Sequence, residues 1–263
     1  MTDSRPIGIL DSGFGGLSVM KAVRAELPGE NLLFAADCGF APWGDRTDAF
    51  INGRVDALVS FLLQNGIKAL VLACNTATAV AAARLRAELT LPIIGIEPAL
   101  LPAARETKSN VVGMMATTKT VKSEKYRLLK TKVPARVRVI DCPCPGLMDC
   151  VEEGEFDSPQ TDALVAHYVR PLVAEGADML VLGCTHYPFL AGSIRRAAGS
   201  GVTLIDPAPA VARELRRRLT EANLLSDRAA GKEAFCVTGA TPERERILQT
   251  LWKKDAALGA LDV

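Results

Sequence analysis

Asn65-Gly-Ile-Lys-Ala-Leu-Val-Leu-Ala-Cys-Asn-Thr76 and Glu175-Gly-Ala-Asp-Met-Leu-Val-Leu-Gly-Cys-Thr-His186 align without a gap, and five of their twelve positions are identical. Each stretch leaves a polar, glycine-containing turn, runs through an apolar Leu-Val-Leu and stops at a cysteine. A short unbroken apolar run between turn residues fits a strand covered on both faces, as in parallel sheets. Buried strands converge on Leu-Val-Leu by composition alone, but convergence does not account for the aligned Gly66 and Gly176 or for Cys74 and Cys184. The two stretches therefore read as an internal duplication, with one cysteine at the same point of each half.

Working outward, apolar runs at Ile7 to Leu10, Asn31 to Ala35, Ala69 to Ala73 and Ile93 to Ile96 alternate with amphipathic stretches at Gly16 to Leu27, Ala49 to Asn65 and Ala77 to Leu89. A second series follows: strands at Val111 to Met115, Val137 to Asp141, Met179 to Gly183 and Thr203 to Ile205, with helices from Val121 to Leu129 and Thr161 to Glu175. Alternation of this kind predicts an α/β protein with mainly parallel sheets flanked by helices. Pro98 and Pro102 mark a boundary. The tail (helix Ala208 to Ala222, strand Glu233 to Thr238, helix Pro242 to Trp252) returns to complete the first sheet. Two pseudo-symmetric domains are expected, 1–97 with 207–263 and 98–206, with the active site in the interdomain cleft.

Composition narrows the class. Aromatic residues make up 5% of the chain, which suits helix-covered parallel sheets better than an aromatic-rich sandwich. The 31 basic and 30 acidic residues leave a net charge of +1 and no field to hold nucleic acid. The one basic cluster, Arg213 to Arg218, is interrupted by Glu214 and Leu215 and reads as a solvated helix face. No stretch approaches the length of a membrane span, and Met1 to Pro6 runs straight into a strand pattern, so a cytoplasmic protein is expected. Seven scattered cysteines fit free thiols in a reducing compartment.

In doubly wound sheets, ligands bind beyond the carboxyl ends of the strands, and Cys74 and Cys184 both fall there. Backbone N–H groups at such a turn favour the thiolate, although a free cysteine is also a common packing residue. Two near-equivalent acid–base groups suit inversion at carbon: a thiolate takes a proton from one face, and a thiol returns one to the other. A redox couple of the two thiols, or a non-catalytic amino-acid-binding protein, are the alternatives. The first strand ends in Asp11-Ser-Gly-Phe-Gly-Gly16, a turn able to bring backbone amides against a carboxylate, or a structural turn with Asp11 as helix cap. It lacks the last glycine of G-x-G-x-x-G, and no phosphate-binding P-loop occurs. His186 lies two residues after Cys184, within reach of the thiol if the chain stays extended, whereas His167 fits a plain helix. Cys142-Pro-Cys144 with Cys150 fits no common zinc spacing and reads as packing thiols; Glu152-Glu-Gly154 reads as an exposed helix end.

Ile7-Gly-Ile-Leu-Asp-Ser-Gly-Phe-Gly-Gly16, Ala41-Pro-Trp-Gly44, Ala73-Cys-Asn-Thr76 and Leu182-Gly-Cys-Thr-His-Tyr-Pro188 together resemble the glutamate racemases of the aspartate/glutamate racemase superfamily. The resemblance covers nearly the whole chain, and Asp206-Pro207 and Thr238-Gly239 match later landmarks of the family. It implies interconversion of L- and D-glutamate without pyridoxal phosphate or metal, supplying D-glutamate for bacterial peptidoglycan, in a homodimer. By the same resemblance Cys74 and Cys184 are the acid–base pair, Cys74 acting on the D-isomer and Cys184 on the L-isomer. Asp11 and His186 assist them; Ser12, Trp43, Gly44, Asn75, Thr76, Thr120 and Thr185 hold the substrate, and Glu152 stands beside the site. Trp43 replaces the family's usual tyrosine, and Met114-Met115-Ala116-Thr117 departs from its commoner Gly-Thr form.

Overall fold

Parallel strands with apolar residues on both faces must be covered by helices on both faces. The computed structural model, which describes residues 3–253 and 255–263, has this arrangement twice. The chain divides after Ile96 and again after Pro207, so that the segments before and after the insert form one unit and Glu97–Pro207 forms the other.

In the first unit, β1 (Ile7–Asp11), β2 (Leu32–Ala36), β3 (Ala69–Leu72), β4 (Ile93–Gly95), β9 (Glu233–Val237) and β10 (Leu258–Ala260) make a parallel sheet of order β10-β9-β2-β1-β3-β4. Every residue of β1, β2 and β3 is buried. Leu10, Leu33, Leu70 and Leu72 pack with α2 (Asp48–Gln64) and α3 (Asn75–Glu88), through Val55, Leu58, Leu62 and Ala81. The alternate strand residues Ile9, Phe34 and Val71 point to the opposite face and are equally buried. There α1 (Leu17–Glu26) packs on α10 (Ala208–Glu221), so the returning segment supplies a helix as well as two strands. The last helix, α11 (Pro242–Leu251), starts at Pro242 behind a Thr241 cap.

In the second unit, β5 (Val111–Ala116), β6 (Arg138–Pro143), β7 (Met179–Leu182) and β8 (Thr203–Ile205) take the order β6-β5-β7-β8. This repeats the β2-β1-β3-β4 core of the first sheet strand for strand. One face packs Val112, Met114 and Val181 against α4 (Leu100–Glu106) and Tyr126. Beyond the other lies Leu172 of α8 (Pro159–Ala174), in reach of Gly113 and Leu180. The unit also contains α7 (Leu147–Glu152) and α9 (Ala191–Ala198).

One expectation changes. The helix read as Val121 to Leu129 is two, α5 (Thr118–Lys122) and α6 (Glu124–Lys130), because Ser123 is extended and its hydroxyl accepts from the Tyr126 N–H at 3.1 Å, starting a new helix. Pro98 lies two residues past the division after Ile96, and α4 begins two residues after it and holds Pro102 in its first turn, where no intrahelical N–H is needed. The short elements α4, α7, α9 and β10 carry too few residues for a period to show. Among the described residues, no helix is long and apolar enough to cross a membrane.

Candidate active site

Each unit gathers its functional side chains at the carboxyl ends of two adjacent strands. In the first unit these are β1 and β3. Asp11, the last residue of β1, is fully buried, and its carboxylate accepts from the Ser12 backbone N–H at 2.5 Å and the Ser12 hydroxyl at 3.2 Å. The glycine-rich turn makes room for it, since a Cβ on Gly16 would lie 2.6 Å from the Asp11 Cβ and 2.9 Å from the Phe34 ring. The N-cap positions of the turn Phe14–Gly16 and of α1 are themselves glycines, Gly13 and Gly16.

Ser12 Oγ lies 3.6 Å from Cys74 Sγ. Cys74 is the N-cap of α3, and its sulfur accepts from the Ala77 N–H at 3.4 Å. A negative sulfur is favoured there by the N–H donor and the helix dipole. Asn75 and Thr76 follow in the first turn, both buried. Neither amide atom of Asn75 has a hydrogen-bond partner. An unsatisfied buried polar group costs about 1–3 kcal/mol, so an amide kept in this condition beside a thiol marks a place for a ligand.

The loop after β2 carries Ala41-Pro-Trp-Gly44. Trp43 is 1% exposed, packs in the α2–α3 core and donates its indole N–H to Asp37 Oδ2 at 3.2 Å. Asp37 also accepts from Arg54 at 2.8 and 2.7 Å and from the Thr238 hydroxyl at 3.0 Å. The Trp43 side chain is therefore a buried peg. Asp37 and Thr238 stand just beyond β2 and β9; a polar residue closing an apolar run was the sequence signal for both.

In the second unit the adjacent strands are β5 and β7. Beyond β5, the Thr117 hydroxyl caps α5 by accepting from the Thr120 N–H at 3.2 Å, and the two hydroxyls lie 3.0 Å apart, Thr120 buried. Cys184 falls two residues after β7, as Cys74 falls two after β3. Thr185 and His186 follow it, both buried. His186 is not extended as expected. It opens a tight turn, Tyr187 N donating to Cys184 O at 3.1 Å, and the turn brings its Nδ1 back to 3.5 Å from Cys184 Sγ.

The far nitrogen of His186 lies 2.8 Å from Glu152 Oε1. Glu152 ends α7, so it is not the exposed helix end its sequence suggests; only its neighbour Glu153 is exposed. Burial works to lower the His186 pKa, but the Cys184 sulfur and the Glu152 carboxylate outweigh it and hold the imidazole well above its ordinary range. Cys184, His186 and Glu152 thus form a line in which the carboxylate holds an imidazole against the sulfur.

A profile of the Asp/Glu/Hydantoin racemase family matches residues 9–215. The glutamate racemase of Methylococcus capsulatus is 49% identical over 251 residues, 95% of this chain and 93% of its own. Among solved structures, the Escherichia coli glutamate racemase in complex with L-glutamate aligns with a TM-score of 0.88 at 30% identity, over 98% of this chain and 99% of its own. The Francisella tularensis glutamate racemase in complex with D-glutamate gives 0.85 at 28% identity, covering 99% and 98%. The chain belongs to the Asp/Glu/Hydantoin racemase family, and its relatives there are glutamate racemases.

Proposed function

We propose that this protein interconverts L- and D-glutamate by a two-base mechanism in which Cys74 and Cys184 share one proton. The observation that carries the reading is the equivalence of the two thiols: each lies two residues past the same strand of the same four-strand order. Relatives solved with L- and with D-glutamate support the substrate. One thiolate removes the α-proton, and the other thiol returns a proton to the opposite face. Asp11, Ser12 and the α3 N–H hold Cys74, while His186, backed by Glu152, holds Cys184 for removal of the L-isomer's proton. The Asn75 amide, Thr76, Thr120, Thr185 and the Gly44 backbone bind the carboxylates and ammonium; neutralising the carboxylate beside the reacting carbon raises its acidity. The reaction needs neither pyridoxal phosphate nor metal. The enzyme acts in the cytoplasm as a homodimer and supplies D-glutamate for peptidoglycan.

Protein dialysed free of cofactors and given L-glutamate in deuterated water should racemise it with deuterium entering at the α-carbon, unaffected by hydroxylamine. Cys74→Ser or Cys184→Ser should each lower turnover by about 10²–10⁴-fold, the usual contribution of a general acid or base, while still binding glutamate. Full racemisation by either variant would overturn the two-thiol reading.

A further inference from the structure

Cys142 and Cys144 take no part in the chemistry above. They stand on the same side at the end of β6, as residues two apart in an extended chain do. Their sulfurs are 3.7 Å apart, Cys144 donating to Cys142. Cys144 is buried and its thiol is also 3.1 Å from Cys142 O, while Cys142 is half-buried and reachable from solvent. The donated hydrogen bond holds the Cys142 thiol below its usual range, and the same bond together with burial holds Cys144 above it. An accessible sulfur inclined to ionise, next to a shielded partner in line to resolve it, is more than packing requires.

We propose that Cys142-Pro-Cys144 is a reversible dithiol–disulfide site oxidised by small-molecule disulfides. The Cys142 thiolate attacks one sulfur of the oxidant, forming a mixed disulfide and expelling a thiolate. Cys144, losing its proton to that leaving group, attacks the Cys142 sulfur, forms the Cys142–Cys144 bond and expels the second thiolate, which takes up the proton lost by Cys142. The protein dithiol is oxidised by two electrons, and the oxidant is reduced to two thiols. Closure brings the sulfurs from 3.7 Å to about 2.05 Å, and the strand end must follow. Pro143 and Pro145 donate no hydrogen bond, so the segment is tied through the Cys144 N–H to Ala116 O at 2.9 Å and its carbonyl to the Tyr187 hydroxyl at 3.3 Å. The same segment leads through Gly146 into α7 and Glu152, and Tyr187 directly follows His186. Oxidation therefore disturbs the Glu152–His186–Cys184 line. That consequence rests on the racemase reading; the cross-link does not.

The test incubates the purified full chain in glutathione buffers from fully reduced to fully oxidised, quenches with acid and maps the cysteines by mass spectrometry. Wild type should show a Cys142–Cys144 cross-link, Cys144→Ser a trapped glutathione adduct on Cys142, and Cys142→Ser neither. Near-ultraviolet circular dichroism confirms that the variants are folded. Absence of the cross-link at every ratio, or equal adducts in both variants, overturns the site. Oxidised wild type should lose at least tenfold more turnover than Cys142→Ser under the same oxidant, and regain it with dithiothreitol. A cross-link without this difference overturns the coupling to Glu152. A reduced wild type that does not racemise glutamate overturns the racemase reading and leaves the mass result to decide the site.

Discussion

Glu152 and His186 are thirty-four positions apart, yet one imidazole lies between the Glu152 carboxylate and the Cys184 sulfur. Because the folded imidazole is held above its ordinary value of about 6.5, the pair's contribution to stability is complete below that value and is lost as pH rises through the elevated one. Glu152→Gln removes the carboxylate, so the His186 pKa should fall, and the stability gap between wild type and variant should close as the solution is made alkaline. The chain has two histidines, which makes an NMR titration of the ring protons easy to assign. The variant should also lose turnover from L-glutamate more than from D-glutamate; an unmoved His186 titration would count against the pair. Trp43 is a second residue-scale case. Trp43→Phe leaves Asp37 with Arg54 and Thr238 but without the indole donor, and should cost about 1–3 kcal/mol in urea unfolding. The KM for glutamate should hardly change, since the side chain is buried and its indole N–H is already taken by Asp37.

At the scale of elements, the turn from β1 into α1 is set by contact distance. A methyl group on Gly16 meets Asp11 and Phe34 inside van der Waals range, so Gly16→Ala should destabilise by about 1–3 kcal/mol as an overpacked site, read as a lower thermal midpoint. It should also lower turnover, because the atom it pushes on first belongs to the Asp11 side chain. Three of the helices that sequence locates to within two residues of their start begin at a cap: Thr47 for α2, Ser158 with Pro159 for α8, Thr241 with Pro242 for α11. Capping also explains the error at 121–129. Apolar spacing continues across Ser123, and only the backbone shows the serine ending one helix and starting the next. Likewise α7 follows Pro143, Pro145 and Gly146 and ends shortly before Gly154, so that turn residues on both sides hide six residues of helix that place Glu152.

Across the molecule, the first unit is closed by chain from both ends. Lys68 Nζ lies 2.5 Å from Glu30 Oε2 with both side chains buried. The same lysine donates to Asp3 O at 2.6 Å, and Glu30 accepts from the Ser226 N–H at 2.8 Å. One ion pair thus ties the start of β3, the approach to β2 and the segment leading into β9. Lys68→Met leaves Glu30 buried and uncompensated and should cost about 3–5 kcal/mol in denaturant unfolding, whereas replacing both by apolar residues should recover most of that loss. Recovery no greater than additive would refute the assignment.

The sequence by itself determined the alternation of strand and helix, the duplication and the equivalence of Cys74 and Cys184. Those features are carried by local periodicity and by residue identity at strand ends, which need no partner to be read. Tertiary structure alone decided what each thiol faces. Ser12 meets Cys74 across adjacent strands, Glu152 reaches His186 from another helix, and Cys142 and Cys144 come within 3.7 Å through the geometry of a strand end. Such contacts depend on register and on the angle at which a turn leaves its strand, quantities set by packing of the whole unit rather than by any window of sequence.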